Sequence, residues 1–277
     1  MSKSARLRQD DLHTLNRLIH DCRDVGDDAM QWQSLFAEQI GRLAGAALVF
    51  AGEAGMVDDN FTMLSAGDWG WHHGFDARVL ASLQVEYGDI RFHPMVKAYF
   101  ARPEQADGRV FDRKDLVRDA DWNRSLYLPA VHETMGIGPN IVCFLGKMES
   151  CRTVMMCRQA RDRREFSPRE KMLVQAANAL IAPFVGGPLA HWKEPSPSEL
   201  PLRAREVLQA LLEGDSDKQT ATRLGISRFT VNQYTKVIFK HFGVGTRSEL
   251  LARWVKRGWG AKCAWVPQRE AVRSITR

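Results

Sequence analysis

Arg228, Asn232, Lys236 and Lys240 recur every four residues, a spacing that keeps their side chains on one face of an α-helix. Val231, Tyr234, Ile238 and Phe242 fall on the other face of the same segment, where they can bury against neighbouring helices. Amide and cationic groups in that array suit the recognition of a polyanion. The charge balance points the same way. From Leu200 to the C-terminus there are 15 Lys and Arg against 6 Asp and Glu, a net +9, whereas the first 199 residues hold 24 basic against 27 acidic groups. The basicity that gives the chain its net charge of +6 is therefore a property of its C-terminal part. Such a surface attracts phosphate and speeds encounter without setting sequence preference.

The elements that must position this stripe are legible from local signals. A first helix over Leu202 to Glu213 buries Val207, Leu208, Leu211 and Leu212, with Pro201 at its first helical position and Gly214 supplying the left-handed residue after its end. A second helix covers Asp217 to Leu224, with Ala221 and Leu224 inward, and Gly225-Ile226 makes a tight turn. Ser227 is placed to accept from the free amides of the third helix as its N-cap. A fourth helix opens on Thr246-Arg247-Ser248-Glu249, a reciprocal capping box, buries Leu250, Leu251 and Trp254, and stops at Gly258. Helix, short glycine-containing turn and polar-faced helix is the arrangement that places a recognition helix in the major groove.

At these residues the segment resembles the DNA-binding domain of LuxR/FixJ-type transcription regulators. The matching positions are Arg203, Glu206-Val207-Leu208, Gly214, Ser216, Lys218, Ala221, Leu224, Ile226-Ser227, Thr230-Val231, Ile238, Lys240, Gly243-Val244, Arg247 and Leu250, covering about a fifth of the chain. There are departures. Pro201 and Ala204 stand where the family carries a Thr-x-x-Glu capping box, Thr220 stands where a buried Ile is usual, and Asn232 and Tyr234 replace the family's Lys and His. Carried over position by position, the resemblance implies base-edge contacts from Asn232, Gln233 and Lys236. It leaves Arg228, Thr230 and Lys240 to phosphate, with Ser227 also at the interface. Asn and Gln pair with adenine and Lys with guanine acceptors, so each reading position should include an A·T pair.

Length requires a second domain. Gly186-Gly187-Pro188 and Glu194-Pro195-Ser196-Pro197-Ser198 cannot continue a helix, so we divide the chain into a sensory domain over 1–187, a linker over 188–199, the DNA-binding domain over 200–258 and a basic tail over 259–277. In the first domain, helices are expected at Asp10–His20 and Ala29–Ala44 and strands at Ala46–Gly52 and Phe61–Ser65. A helical, aromatic-rich middle follows from Phe75 to Tyr127. A hairpin of Ile141–Lys147 with Thr153–Gln159 and a helix over Pro168–Ile181 complete it. The fold class is an α+β domain, an antiparallel sheet with flanking helices, joined to an all-α tetrahelical domain. The pattern Asp121-Trp122-Asn123-Arg124-Ser125-Leu126-Tyr127, Gly136-Ile137-Gly138, the hairpin and Phe166-Ser167-Pro168 is similar to PAS/GAF-type domains on LuxR-like regulators, which implies a small-molecule pocket. Candidate pocket residues are Trp69, Trp71, Tyr87, Trp122 and Tyr127, although ordinary core packing is the favoured role for any one of them.

His93-Pro94-Met95-Val96, with Tyr87 upstream, resembles a stretch of acyl-homoserine-lactone receptors, but His93 stands where their ligand-binding Asp would be. Asp58-Asp59 lacks the βα alternation of a phosphorylated receiver and reads as a solvated loop. Cys22, Cys143, Cys151, Cys157 and Cys263 form no CxxC pair and suit reduced thiols, with a redox switch around the hairpin as the alternative. His72-His73 lacks further ligands at metal spacing. No catalytic motif appears, so an enzyme or an adaptor reading would rest on the N-terminal domain alone. The expected partners are duplex DNA, a second copy of the chain, a small-molecule effector and RNA polymerase. No cofactor, metal or membrane is expected, and the chain should be cytoplasmic.

Overall fold

The computed structural model describes residues 6–57, 60–70, 94–101, 109–124, 137–145, 151–159, 162 and 164–259. The chain divides into two compact units, Met1–Cys22 with Met30–Val185, and Arg23–Ala29 with Gly186–Arg277. The first is α+β and the second is helical, the fold class expected. No helix among the described residues is long and apolar enough to cross a membrane.

The first unit is built on a five-stranded antiparallel sheet in the order β2-β1-β5-β4-β3. Its strands are β1 (Leu48–Val57), β2 (Asn60–Trp69), β3 (Val110–Asp112), β4 (Ile137–Leu145) and β5 (Cys151–Gln159). The expected hairpin is present as β4 and β5, in a register that sets Cys143 opposite Met155 and Phe144 opposite Val154. Around the sheet lie α1 (Gln9–Asp24), α2 (Ala29–Ala44), α3 (Pro94–Phe100), α4 (Arg113–Leu116), α5 (Asp119–Arg124) and α6 (Pro168–Ile181). The amphipathic α1, α2 and α6 bury Leu15, Leu18, Phe36, Ile40, Leu173, Ala177 and Ile181, alongside Val49 and Met156 of the sheet. Arg158 on β5 ties this assembly by donating to the Gly45 carbonyl at 2.8 Å and to Glu170 of α6 at 3.0 Å.

Two expectations for this unit need correcting. The stretch from Phe75 to Tyr127 is not wholly helical, because β3 pairs with β4 inside it. Strands β1 and β2 also run past Gly52 and Ser65, where the sequence reading ended them. Gly67 within β2 is a contact, not a break. A Cβ on Gly67 would sit 2.0 Å from the Ser34 amide nitrogen of α2, so the bare backbone is what lets that helix lie on the sheet.

In the second unit α7 (Leu202–Leu212), α8 (Asp217–Leu224), α9 (Arg228–Phe242) and α10 (Arg247–Arg257) match the four expected helices. Val207, Leu208, Leu211, Val231, Ile238, Phe242, Leu250 and Trp254 form one core. Pro201 is not the first helical residue; it is the N-cap, with extended ψ of 146° and no side-chain oxygen to offer the helix amides. The capping box on α10 is also altered. Thr246 accepts from the Glu249 amide at 3.2 Å, but the Glu249 carboxylate takes the Gly245 amide at 2.7 Å, one residue earlier than a reciprocal box requires. A full box occurs instead on α8, between Ser216 and Gln219.

The segment read as a linker is packed within this unit. Glu194 accepts from Arg253 and Arg257 of α10, and Trp259 donates from its indole nitrogen to the Pro188 carbonyl at 3.0 Å. Trp259 therefore belongs to the folded unit and not to the tail, its ring set edge-on against Trp254 at 5.0 Å.

Candidate nucleic-acid interface

The polar stripe begins at a defined helix start. Glycine at 225, with φ 65° and ψ 37°, closes α8 in the left-handed conformation, and the Ile226 amide returns to the Ala221 carbonyl at 3.0 Å. The chain then reverses into Ser227, whose extended backbone and Oγ, accepting from the Thr230 amide at 3.0 Å, cap α9 as expected. The Thr230 hydroxyl lies 2.8 Å from the same Oγ. Ser227 is thus committed to shaping the first turn, and Thr230 is half-buried beside it.

The rotation of α9 is fixed by what it buries. Val231, Ile238 and Phe242 face the core, and Phe242 meets Trp254 of α10 edge-on at 5.0 Å. Arg247 adds a hydrogen bond to the Leu211 carbonyl at 2.9 Å, joining α10 to α7. With that face committed, Arg228, Asn232, Gln233, Lys236 and Lys240 are all exposed, on the outward side of the helix. Tyr234 is half-buried, part of the supporting face.

The surrounding charges set this stripe apart from the arginines of the neighbouring helices that are paired with carboxylates, although Lys218 and Lys256 are exposed without an acidic partner among the described residues as well. Arg223 is held by Glu213 and by Asp215 at 3.1 Å, and its guanidinium pKa is raised first by the hydrogen bond to Glu213. Arg203 pairs with Glu206 at 2.7 Å, and Arg253 and Arg257 are held by Glu194. Arg228, Lys236 and Lys240 have no acidic partner among the described residues, and α9 contains no Asp or Glu. Its outward face is a run of donors whose positive charge is not neutralised.

Phe229 was not among the residues singled out from sequence, yet it is 73% exposed in the first turn of this helix. The signal was present: Phe229 is out of phase with the apolar series Val231, Tyr234, Ile238 and Phe242.

The pocket residues expected in the first unit fare differently. Trp69 packs its ring against Gly41 of α2, and Trp122 is buried in α5 with the Arg113 guanidinium 5.4 Å from its ring centre. Both are engaged in packing between elements. Trp71, Tyr87 and Tyr127 lie outside the described residues, as do His93, His72-His73, Asp58-Asp59 and Cys263. Cys22 and Cys157 are buried and form no disulfide, and the Cys22 thiol donates to the Trp32 carbonyl at 3.7 Å.

The chain is similar to SdiA in complex with octanoyl-rac-glycerol, at 13% identity and a TM-score of 0.43 over 91% of this chain and 97% of that one. It is similar to Escherichia coli SdiA crystallised in the space group P6522, at 14% identity and a TM-score of 0.37 over 79% and 87%. The ligand-binding domain of VqsR from Pseudomonas aeruginosa gives 13% identity and a TM-score of 0.40 over 63% of this chain and 94% of its own. No curated protein sequence matches the chain. Residues 198–254 match the family described as bacterial regulatory proteins, luxR family. The segment of the helical C-terminal unit that carries the exposed donor stripe is therefore a match to the luxR family of bacterial regulatory proteins.

Proposed function

We propose that α9 enters the major groove of duplex DNA with Asn232, Gln233 and Lys236 at base edges and Arg228, Thr230 and Lys240 toward the phosphates. The supporting observation is the contrast in charge pairing. Arg203 and Arg223 on the neighbouring helices are neutralised by Glu and Asp, while the cations of the outward face of α9 are left to solvent. One such helix reads only a few base pairs, so useful discrimination calls for two copies of the chain on a two-fold symmetric site. The α+β unit serves as the sensor. A small molecule or protein partner that binds one domain arrangement more tightly than another shifts the population that presents both recognition helices at half-site spacing.

The test is a binding titration on a site selected from random duplexes. Asn232→Ala should cost about 1–3 kcal/mol on the best site and relax preference at one position, with little change on random DNA. Lys240→Ala should weaken both alike and reduce the salt slope by about one. Equal losses on specific and random DNA for Asn232→Ala would refute its base contact. Mass spectrometry of small molecules that co-purify with the full chain tests the sensor assignment, with an unliganded chain whose DNA affinity no extract alters as the contrary result.

A further inference from the structure

We propose that Phe229 reads the C5-methyl group of a thymine in each half-site, acting as an apolar specificity determinant among the polar readers of α9. The inference rests on the major-groove reading given above and deepens it. At about 100° per residue along an α-helix, Lys236 and Lys240 lie about 20° to either side of Phe229, with Asn232 and Gln233 about 60° and 40° away on opposite sides. Phe229 thus sits at the centre of the outward face. Arg228 and Thr230 flank it at about 100° on either side, where the groove walls would be. The buried Val231, Ile238 and Phe242 occupy the far side, and the Ser227 cap holds the first turn, so the ring has no route into the core.

Position then decides what the ring meets. A recognition helix presents its N-terminal residues to base edges, and Phe229 is the second residue of α9. In the major groove the exposed edges of G·C pairs and of adenine offer donors and acceptors, which a phenyl ring would desolvate without replacing their hydrogen bonds. The thymine methyl is the apolar group on that floor. Among the described residues Phe229 is the aromatic member of the exposed large hydrophobics, and it lies in continuity with the donor stripe. A second copy of the chain or another protein seated on this ring is the competing occupant, and the test separates them.

The site selected by the full chain is synthesised with each thymine in turn replaced by deoxyuridine, which removes only the methyl. Wild type should lose about fourfold in affinity per half-site at one thymine, the ratio expected from the transfer of one buried methyl. Phe229→Ala should bind more weakly and lose that deoxyuridine penalty, while Asn232→Ala should bind more weakly and keep it. Placing 5-methylcytosine at that position should recover part of the affinity lost on a thymine-to-cytosine change, for wild type only. Because the side chain is exposed, Phe229→Ala should keep the wild-type circular dichroism spectrum and melting temperature. The assignment is overturned if wild type selects a sequence yet no deoxyuridine weakens it, or if Phe229→Ala retains the full penalty. A Phe229→Ala loss confined to self-association, with DNA affinity per dimer unchanged, would also overturn it in favour of a protein contact. Failure of the chain to bind any duplex would instead remove the major-groove reading on which it rests.

Discussion

Thr220 offers a stringent test of how the second unit is held together. The residue is 0% exposed on α8, and its Oγ1 has no hydrogen-bond partner among the described residues. A buried hydroxyl left unpaired costs about 1–3 kcal/mol, and Thr and Val have nearly the same helix propensity. Thr220→Val exchanges that hydroxyl for a methyl of similar size in the same rotamer family. The unit should therefore gain about 1–2 kcal/mol, which slows the slowest-exchanging amides of α7 to α9 by about 5–30-fold in hydrogen-exchange mass spectrometry of the full chain. DNA affinity should stay within about twofold, because the side chain does not reach the surface of α9. Faster exchange in Thr220→Val would refute the reasoning. It would mean that the hydroxyl donates to the Ser216 carbonyl, which now accepts from the Thr220 amide at 2.8 Å, and is not orphaned.

Ser227→Ala should cost about 1 kcal/mol and fray the first turn of α9, seen as faster exchange at Thr230 and Val231 and as weaker binding to both specific and random duplexes. In the first unit Asp11 accepts from Arg169 and from the Arg8 amide, and the Arg169 hydrogen bond above all holds its pKa below the ordinary carboxylate value. A carboxyl lowered in the folded state contributes stability above its unfolded pKa, near 4, and loses it as pH falls through the folded value. Asp11→Asn should therefore lower the melting temperature at pH 7, by the equivalent of about 1–3 kcal/mol, and narrow the gap from wild type at acid pH; an unchanged gap would deny the pair its role. Gly67→Ala should lower the melting temperature of the first unit strongly, because the new Cβ meets the α2 backbone at 2.0 Å and 2.2 Å and the helix itself must shift, at about 1–3 kcal/mol or more. Gly55→Ala, which meets a side chain, that of Leu64 at 2.8 Å, and not a backbone, should do so less.

The contrast between those two glycines also explains what could be read from the chain alone. The helices of the second unit were legible to within one or two residues because their signals are local. The Ser227 cap, the left-handed Gly225, Gly243 and Gly258, and the apolar phase of Val231, Ile238 and Phe242 all act within a few residues. The sheet of the first unit was legible in its pairs but not in its lengths, because a glycine in sequence carries two meanings. It ends an element when the chain needs a positive φ, and it sustains one when another backbone must come close. Gly67 is the second kind, and only the arrival of α2, more than twenty residues earlier in the chain, distinguishes it. Strand β3 was missed because three residues, Val110 to Asp112, show no alternation and gain their identity from pairing with β4. The same asymmetry governs the interface. Asn232, Gln233 and Lys236 announce themselves by chemistry, whereas Phe229 is visible only once the buried face is known, since an apolar residue is informative where the fold withholds a core from it. A side chain that neither the core nor an acidic neighbour claims is where the recognition surface of this helix should be sought, and Phe229 and Lys236 meet that condition together.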